Sequence, residues 1–465
     1  MRARAHHPRR PLGALAIAFA CASWCGVARA QAVASPPKAL PPAAGPTIDE
    51  ALLAPPPDSP RTLQSWDDAL ALIRAQSTDY ARTYDNVLRA EGQSRVALAG
   101  ILPSAFAQGS FTHQFFTTTE SLTGTNITIP SQDVFVLGGT ATWTPFNPRA
   151  IHAIGTANRV VDATQSELAD KRRTIVQVLV TAMLGTLAAA RSADLNRVGL
   201  RAALERLALA QGRARVQTGT ELDVDRAQAD ADSARAVVIT GDEALLQSRE
   251  ALGVALGSAT AIAAPGSLDL AAFEKSVAAT CRLNAEIEKR PDVVAARQRL
   301  DVAERAIDDV WLQFAPTLGV QSQLAWGSQV LYGPSTIWNL QGVLTVPIWD
   351  GGARYGLLRD TRAAADQARQ TLVAARVSAL VNVTQAKRAV SVSAASLDVA
   401  RRQRETAQRV DDLTRKSYAL GLVTSLELVT SGQALRIANI NQLGLEFQAL
   451  QARVQATLAN ADCSF

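Results

Sequence analysis

Residues 338–350 read Trp338-Asn339-Leu340-Gln341-Gly342-Val343-Leu344-Thr345-Val346-Pro347-Ile348-Trp349-Asp350. Side chains alternate along a strand, so Trp338, Leu340, Leu344, Val346 and Ile348 share one face and Asn339, Gln341 and Thr345 the other. The pattern recurs upstream. Leu318, Val320, Leu324 and Trp326 alternate with Thr317, Gln321, Gln323 and Ala325. Phe135, Leu137, Ala141 and Trp143 alternate with Thr140, Thr142 and Thr144. One face is apolar and the other is polar but uncharged. A soluble sandwich would alternate in the same way, so aromatic placement decides. Beyond residue 30 the chain has 21 aromatics, and 14 of them fall within residues 103–146 and 311–355. Trp143, Trp326, Trp338 and Trp349 sit near strand ends, where an amphipathic ring suits the headgroup layer of a membrane. The loops 117–131 and 327–337 would face outward. Two strands in each half make four per chain. Open edges are not tolerated in lipid, and membrane barrels need about eight strands or more. Copies of the chain must therefore share a barrel.

Prolines divide the rest. Nine of the 20 lie between Pro36 and Pro60, which marks residues 31–62 as an extended N-terminal segment. Arg149–Ala264 and Ile348–Phe465 contain none and are rich in Ala, Leu, Arg, Gln and Glu, all strong helix formers. Pro145 and Pro347 end alternating runs, Gly219 and Gly421 interrupt the helical tracts, and the two pairs share one sequence offset. This spacing indicates an internal duplication, residues 63–257 and 284–460, joined by a connection at 258–283 and followed by a tail at 461–465. Each half reads helix, strand, strand, long helix, turn, helix. A helix over Pro148–Thr218 would be about 105 Å long. The helices 63–102 and 220–257, stacked end to end, match it. In the second half 284–314 and 425–460 match 350–419. The expected fold is mainly α with a small β part: a long helical cylinder, held by supercoiled packing, below a barrel.

Lys and Arg total 47 against 42 Asp and Glu, but five of the arginines lie ahead of Gln31. Without them the chain is neutral, so its high pI carries no argument for nucleic acid. Arg2, Arg4, Arg9 and Arg10, the apolar run Leu12–Ala22 and Ala28-Arg29-Ala30 form a secretory signal peptide, with cleavage expected after Ala30. Ala18-Phe19-Ala20-Cys21 lacks the leading Leu of a lipoprotein site. Thr174–Ala190 is an uncharged run, but Thr174, Gln177 and Thr181 share one helical face, so we read it as a packed helix and not a membrane span.

With these landmarks placed, the chain resembles the TolC family of outer-membrane efflux and secretion channels over about residues 64–460. The carriers are Arg290-Pro291-Asp292-Val293, the Pro316 break, Val346-Pro347-Ile348-Trp349-Asp350-Gly351-Gly352, and Tyr418-Ala419-Leu420-Gly421 with Glu427. The resemblance implies a homotrimer with a 12-stranded outer-membrane barrel and a periplasmic helical tunnel. It also implies a periplasmic adaptor (membrane fusion protein), an inner-membrane RND or ABC transporter as energy source, and no enzymatic activity. An outer-membrane component of type I protein secretion is the alternative within the family. A periplasmic coiled-coil adaptor would carry one helical hairpin, not two.

Asn147-Pro148 is a helix start, and Asp350 is expected to cap the second long helix in the same way. Gly219 and Gly421 are expected to take glycine-favouring conformations at the two turns. Thr220-x-x-Asp223 and Thr424-x-x-Glu427 read as capping boxes. The resemblance gives Tyr418 the role of a tether and Glu427 that of an acid lining the entrance, with Asp223 its partner in the first half. The chain departs from the family with Thr430 in place of a second acid and Val423 in place of a basic tether.

Cys281 lies in the connection and Cys463 near the end of the chain. Both should sit at the midline of the cylinder, and export permits oxidation, so a Cys281–Cys463 disulfide is expected. His113 and His152 fall in unrelated patterns and suggest no metal site. No cofactor motif is present. Gly351-Gly352-Ala353-Arg354-Tyr355-Gly356 lacks the spacing of a nucleotide-binding turn.

Overall fold

The protein is described by a computed structural model covering residues 49–122, 125–129, 133–266, 269–329 and 333–465. The leader, its cleavage site and residues 31–48 lie outside the described residues.

Two very long helices dominate, α3 (Pro148–Arg215) and α7 (Ala353–Ala419). Alongside α3 run α2 (Thr78–Ala99) and α4 (Glu221–Ala255), stacked end to end. Alongside α7 run α6 (Pro291–Trp311) and α8 (Ser425–Leu458), which also pack on the other flank of α3. The wall therefore reads α2/α4, α3, α6/α8, α7. Pro148 and Pro291 occupy first-turn positions, where a missing N–H costs nothing. On α7, Leu358, Ala365, Leu372, Ala379, Ser393 and Ala400 are buried, all spaced by whole heptads. That period produces supercoiled packing against a neighbouring helix. Around the rest of its circumference α7 leaves Val373, Val377, Leu380, Val381, Val392 and Val399 exposed.

The opening helix is broken in two. α1 (Trp66–Gln76) ends at Ser77, whose hydroxyl accepts the Tyr80 N–H and starts α2. The break frees α1 to join a collar at the midline. There β1 (Arg61–Thr62) pairs in parallel with β6 (Ile262–Ala263), and β7 (Cys281–Leu283) pairs with β10 (Ala461–Cys463). α5 (Leu270–Thr280) completes it. Trp66, Leu70, Ile73, Phe273 and Val277 pack there against Val176, Leu179, Val180 and Met183 of α3 and Leu458 of α8. The run Thr174–Ala190 is thus a core helix. Thr174, Gln177 and Thr181 point away from that core. Cys281 and Cys463 are joined by a disulfide across the β7–β10 pair.

The N-terminal segment, where described, is a docked strap and not a free linker. Glu50 pairs with Arg235 at 2.8 Å, Arg197 Nε donates to the Ala54 carbonyl, and Arg249 Nη1 donates to the Pro57 carbonyl. Arg235 to Arg249 spans about 21 Å of helix, and the strap crosses it with a 3-10 turn at Ala51–Leu53.

The largest sheet among the described residues has four antiparallel strands, β2 (Ser104–His113), β5 (Asp133–Phe146), β8 (Thr317–Gln329) and β9 (Gly333–Thr345), in the order β2-β5-β8-β9. Strand order repeats helix order, β2 following α2, β5 leading to α3, β8 following α6 and β9 leading to α7. The segment 117–131 is more than a loop, since β3 (Thr118–Leu122) and β4 (Thr125–Ile129) form a hairpin.

Candidate functional site

Register makes the apolar face of the sheet continuous. Leu137 sits opposite Trp326, Leu324 opposite Trp338, Trp143 opposite Val320, and Leu318 opposite Leu344. The other face lines up Thr140, Gln323 and Asn339, and Thr142, Gln321 and Gln341. A register shift between Trp143 and Phe146 keeps Phe146 beside Leu318. Pro145 lies in this bulge, where its missing N–H is tolerated. Phe111 sits opposite Phe135, whose ring meets Trp326 of the next strand with centroids 5.9 Å apart. Phe135 and Trp143 are separated by about 27 Å along β5, so at the tilt of about 40° usual in outer-membrane barrels they would bracket about 21 Å of apolar band. Trp338 lies mid-strand, not at an end. Phe135, Leu137, Trp143, Trp326, Trp338 and Leu340 are all exposed in one chain. The outer edges of β2 and β9 have no strand partner among the described residues.

At the far end the two helical hairpins meet. Gln217 N–H bonds to the Ala214 carbonyl and Thr218 N–H to the Arg213 carbonyl. Gly421 N–H bonds to Tyr418 and Leu422 N–H to Ser417 in the same way. These are matching Schellman turns. The left-handed position is Gly421 in the second (φ 75°) but Gln217 in the first (φ 58°). Gly219 has an ordinary φ, against expectation, and its open side faces the Arg213 side chain. At the tip, therefore, Gln217 and not Gly219 corresponds to Gly421, and Val423 is the true counterpart of Gly219.

Both capping boxes form. Asp223 accepts the Thr220 N–H at 3.0 Å, and Glu427 accepts the Thr424 N–H at 2.7 Å. Asp223 does more: its other oxygen accepts the Ser425 hydroxyl from the neighbouring hairpin. Glu427 is exposed and serves only its own cap in a single chain. Tyr418 is buried under Arg213, whose guanidinium lies 4.2 Å from the ring centroid and donates to the Tyr418 carbonyl at 3.0 Å. A cation of the first turn thus packs on the second. Sequence reasoning missed Arg213 and Ser425. The signal for Arg213 was a cation in the last turn of a long helix, where it complements the dipole. Asp350 accepts the Gly352 and Arg354 N–H groups, but the position preceding α7 is Gly352 with φ 91°. Asp350 thus caps from further back than Asn147 does. His113 and His152 each contact an aspartate, Asp133 and Asp309. No cluster of three metal-ligating residues occurs among the described residues.

The Ser425 hydroxyl, followed by the Thr220 N–H, holds the Asp223 carboxyl below its ordinary value. A depressed carboxyl stabilises the fold above its unfolded value of about 3.9, and the contribution is lost as pH falls through the folded value. We expect hydrogen-exchange protection factors at residues 216–224 and 420–428 to fall as pH drops below about 4. In Asp223→Ala protection should already be low at neutral pH. A tip equally protected at pH 3 and pH 7 would contradict this.

The sequence matches the outer membrane efflux protein family over residues 70–258 and 283–461. A search of curated proteins finds no match. Among solved structures, a membrane protein from Pseudomonas aeruginosa superposes with a TM-score of 0.72 at 20% identity, over 89% of this chain and 99% of that one. The Campylobacter jejuni CmeC outer membrane channel gives 0.74 at 15% identity, over 92% and 95%. VceC, an outer membrane protein from Vibrio cholerae, gives 0.69 at 16%, over 85% and 96%. With both repeats covered by the family match, the chain belongs to the outer membrane efflux protein family and is a non-enzymatic outer-membrane channel.

Proposed function

We propose that three copies close a 12-stranded barrel and a helical tunnel beneath it, forming the passive exit duct of a tripartite pump. A periplasmic adaptor docks at the tip, and an inner-membrane RND or ABC transporter supplies energy and small-molecule cargo. The observation that carries this reading is the coincidence of two open edges. Sheet and wall have the same order, so the step that brings β9 to the next β2 also brings α7 to the next α2/α4. Charge favours the same contact. α7 carries 13 Lys and Arg against six acids, whereas α4 carries eight acids against three arginines. Leader cleavage after Ala30 would deliver the chain to the periplasm. Light scattering on detergent-extracted protein should give three chains per particle, and planar bilayers should show conductance. A water-soluble monomer would defeat the reading.

In a closed ring, three copies of Glu427 would form an acidic constriction that favours cations. Tyr418, Gly421 and Asp223 position the turns that hold it. Glu427→Ala should move the reversal potential in a KCl gradient toward zero. Wild-type selectivity in that variant would remove the assignment.

A further inference from the structure

Away from the collar, α3 borders two adjoining grooves that share Thr174 and Gln177. The first, about 570 Å³, is lined by small and apolar groups, Val178, Ala182, Gly185, Ala251, Val254 and Ala255. The second, about 490 Å³, is lined by Arg173, Arg290, Asn382, Gln385 and Gln455 with three alanines. No acid lines it. The partners of the two arginines, Asp170 and Asp292, line the next groove toward the membrane, with Glu167 and Arg299. Arg173 and Arg290 are both more than nine-tenths buried. Arg290 Nε lies 2.9 Å from Asp292 Oδ1 as an ion pair, yet has no hydrogen-bond partner among the described residues. Burial, followed by the neighbouring Arg173 charge, lowers the Arg290 pKa, while Asp292 and Asp170 act the other way.

The side of the wall follows from size. Twelve helices about 10 Å apart make a ring about 19 Å in radius, with about 14 Å clear inside. A collar one helix thick on the inner side would nearly close it, so the collar is outside and these grooves face the lumen. That step rests on the duct reading above.

We propose that the composite groove binds amphipathic organic carboxylates on their way through the duct. The carboxylate sits against Arg173 and Arg290, within reach of the amides of Asn382, Gln385 and Gln455, and the hydrocarbon body lies over Val178, Ala182 and Ala251. Charge-assisted bonds to a buried guanidinium discriminate an anion from its neutral isostere far better than apolar contact does.

Calorimetric titration of the detergent-extracted assembly with 4-phenylbutyrate and 4-phenylbutyramide tests this. The carboxylate should bind at least tenfold more tightly than the amide. Gln385→Glu puts a like charge on an exposed helix face where folding is not at risk, and should weaken the carboxylate at least tenfold while moving the amide less than threefold. Gly185→Leu, whose added carbon meets nothing within 4 Å, should weaken both ligands. Equal affinity for the two ligands, or unaltered carboxylate binding in Gln385→Glu, overturns the site. If such an assembly still conducts in bilayers, the duct reading stands without it. A non-conducting monomer overturns both.

Discussion

Asp230→Ala is expected to destabilise the lower half of the wall by about 3–5 kcal/mol, the usual result of stripping one member from a buried charge cluster. The Asp230 side chain is fully buried between three helices. One oxygen accepts Arg206 Nη2 of α3 at 2.6 Å; the other accepts Gln433 Nε2 of α8 at 3.1 Å and lies 3.6 Å from Arg436. Glycines make room for both arginine side chains, the guanidinium of Arg206 and the aliphatic stem of Arg436. A Cβ on Gly432 would come within 2.7 Å of Arg206, and one on Gly199 within 2.7 Å of Arg436. Removing the carboxylate leaves two cations facing each other out of water, with Arg436 Nη1 already unpartnered among the described residues. Asp230→Asn keeps the shape and should fall between. Asp232→Ala, close by in sequence but exposed, should stay within about 0.5 kcal/mol. The check is the denaturant midpoint of the detergent-extracted protein, with hydrogen exchange along α4. An Asp230→Ala midpoint equal to wild type would show that the cluster does not hold the helices together.

Loss of the disulfide is the second large effect. Cys281 and Cys463 are separated by 182 residues in sequence. Chain-entropy arguments give about 5 kcal/mol for a loop of that length, by restriction of the unfolded state. The bridge also holds β10, the last strand, on β7 beside the main core. Reduction with dithiothreitol under partly denaturing conditions, Cys463→Ser, and the double serine variant should all lower the unfolding midpoint by the same amount. Agreement among the three identifies the bridge, and not either thiol's packing, as the cause. A midpoint insensitive to reductant would mean the thiols are free. The prediction concerns unfolding, since both sulfurs are buried and a reductant reaches them only when the collar opens.

Much of this architecture is legible in the chain because its signals are local. Pro148 and Pro291 mark helix starts by steric rule, the period-two runs mark the strands, and Thr220–Asp223 and Thr424–Glu427 mark caps by spacing. Failures have local causes too. The Ser77 cap falls in the middle of a run whose apolar content reads as one helix, so sequence pattern alone merges α1 with α2. Gln217 adopts the left-handed turn position that glycine fills in the second half, so Gly219 suggests the wrong alignment. Strands as short as β1 and β6 cannot show a period. Asp230, in a run of Asp and Ala, reads as a solvated residue. Its burial depends on α8, in the other repeat, and no single-segment pattern encodes that. The composite groove likewise needs α3, α4, α7 and α8 side by side with the start of α6.

The duplicated wall carries one more implication. Inside each chain, α3 already meets the α6/α8 stack of the second repeat through Glu167–Arg299 and Arg159–Asp301. In a closed ring, α7 meets the α2/α4 stack of the next copy at the corresponding place. In a duct of three copies the internal joint would therefore be a rehearsal of the external one, and the tube would have near-sixfold architecture. An ancestor half this length could have built it from six identical units, with fusion later allowing alternate joints to diverge.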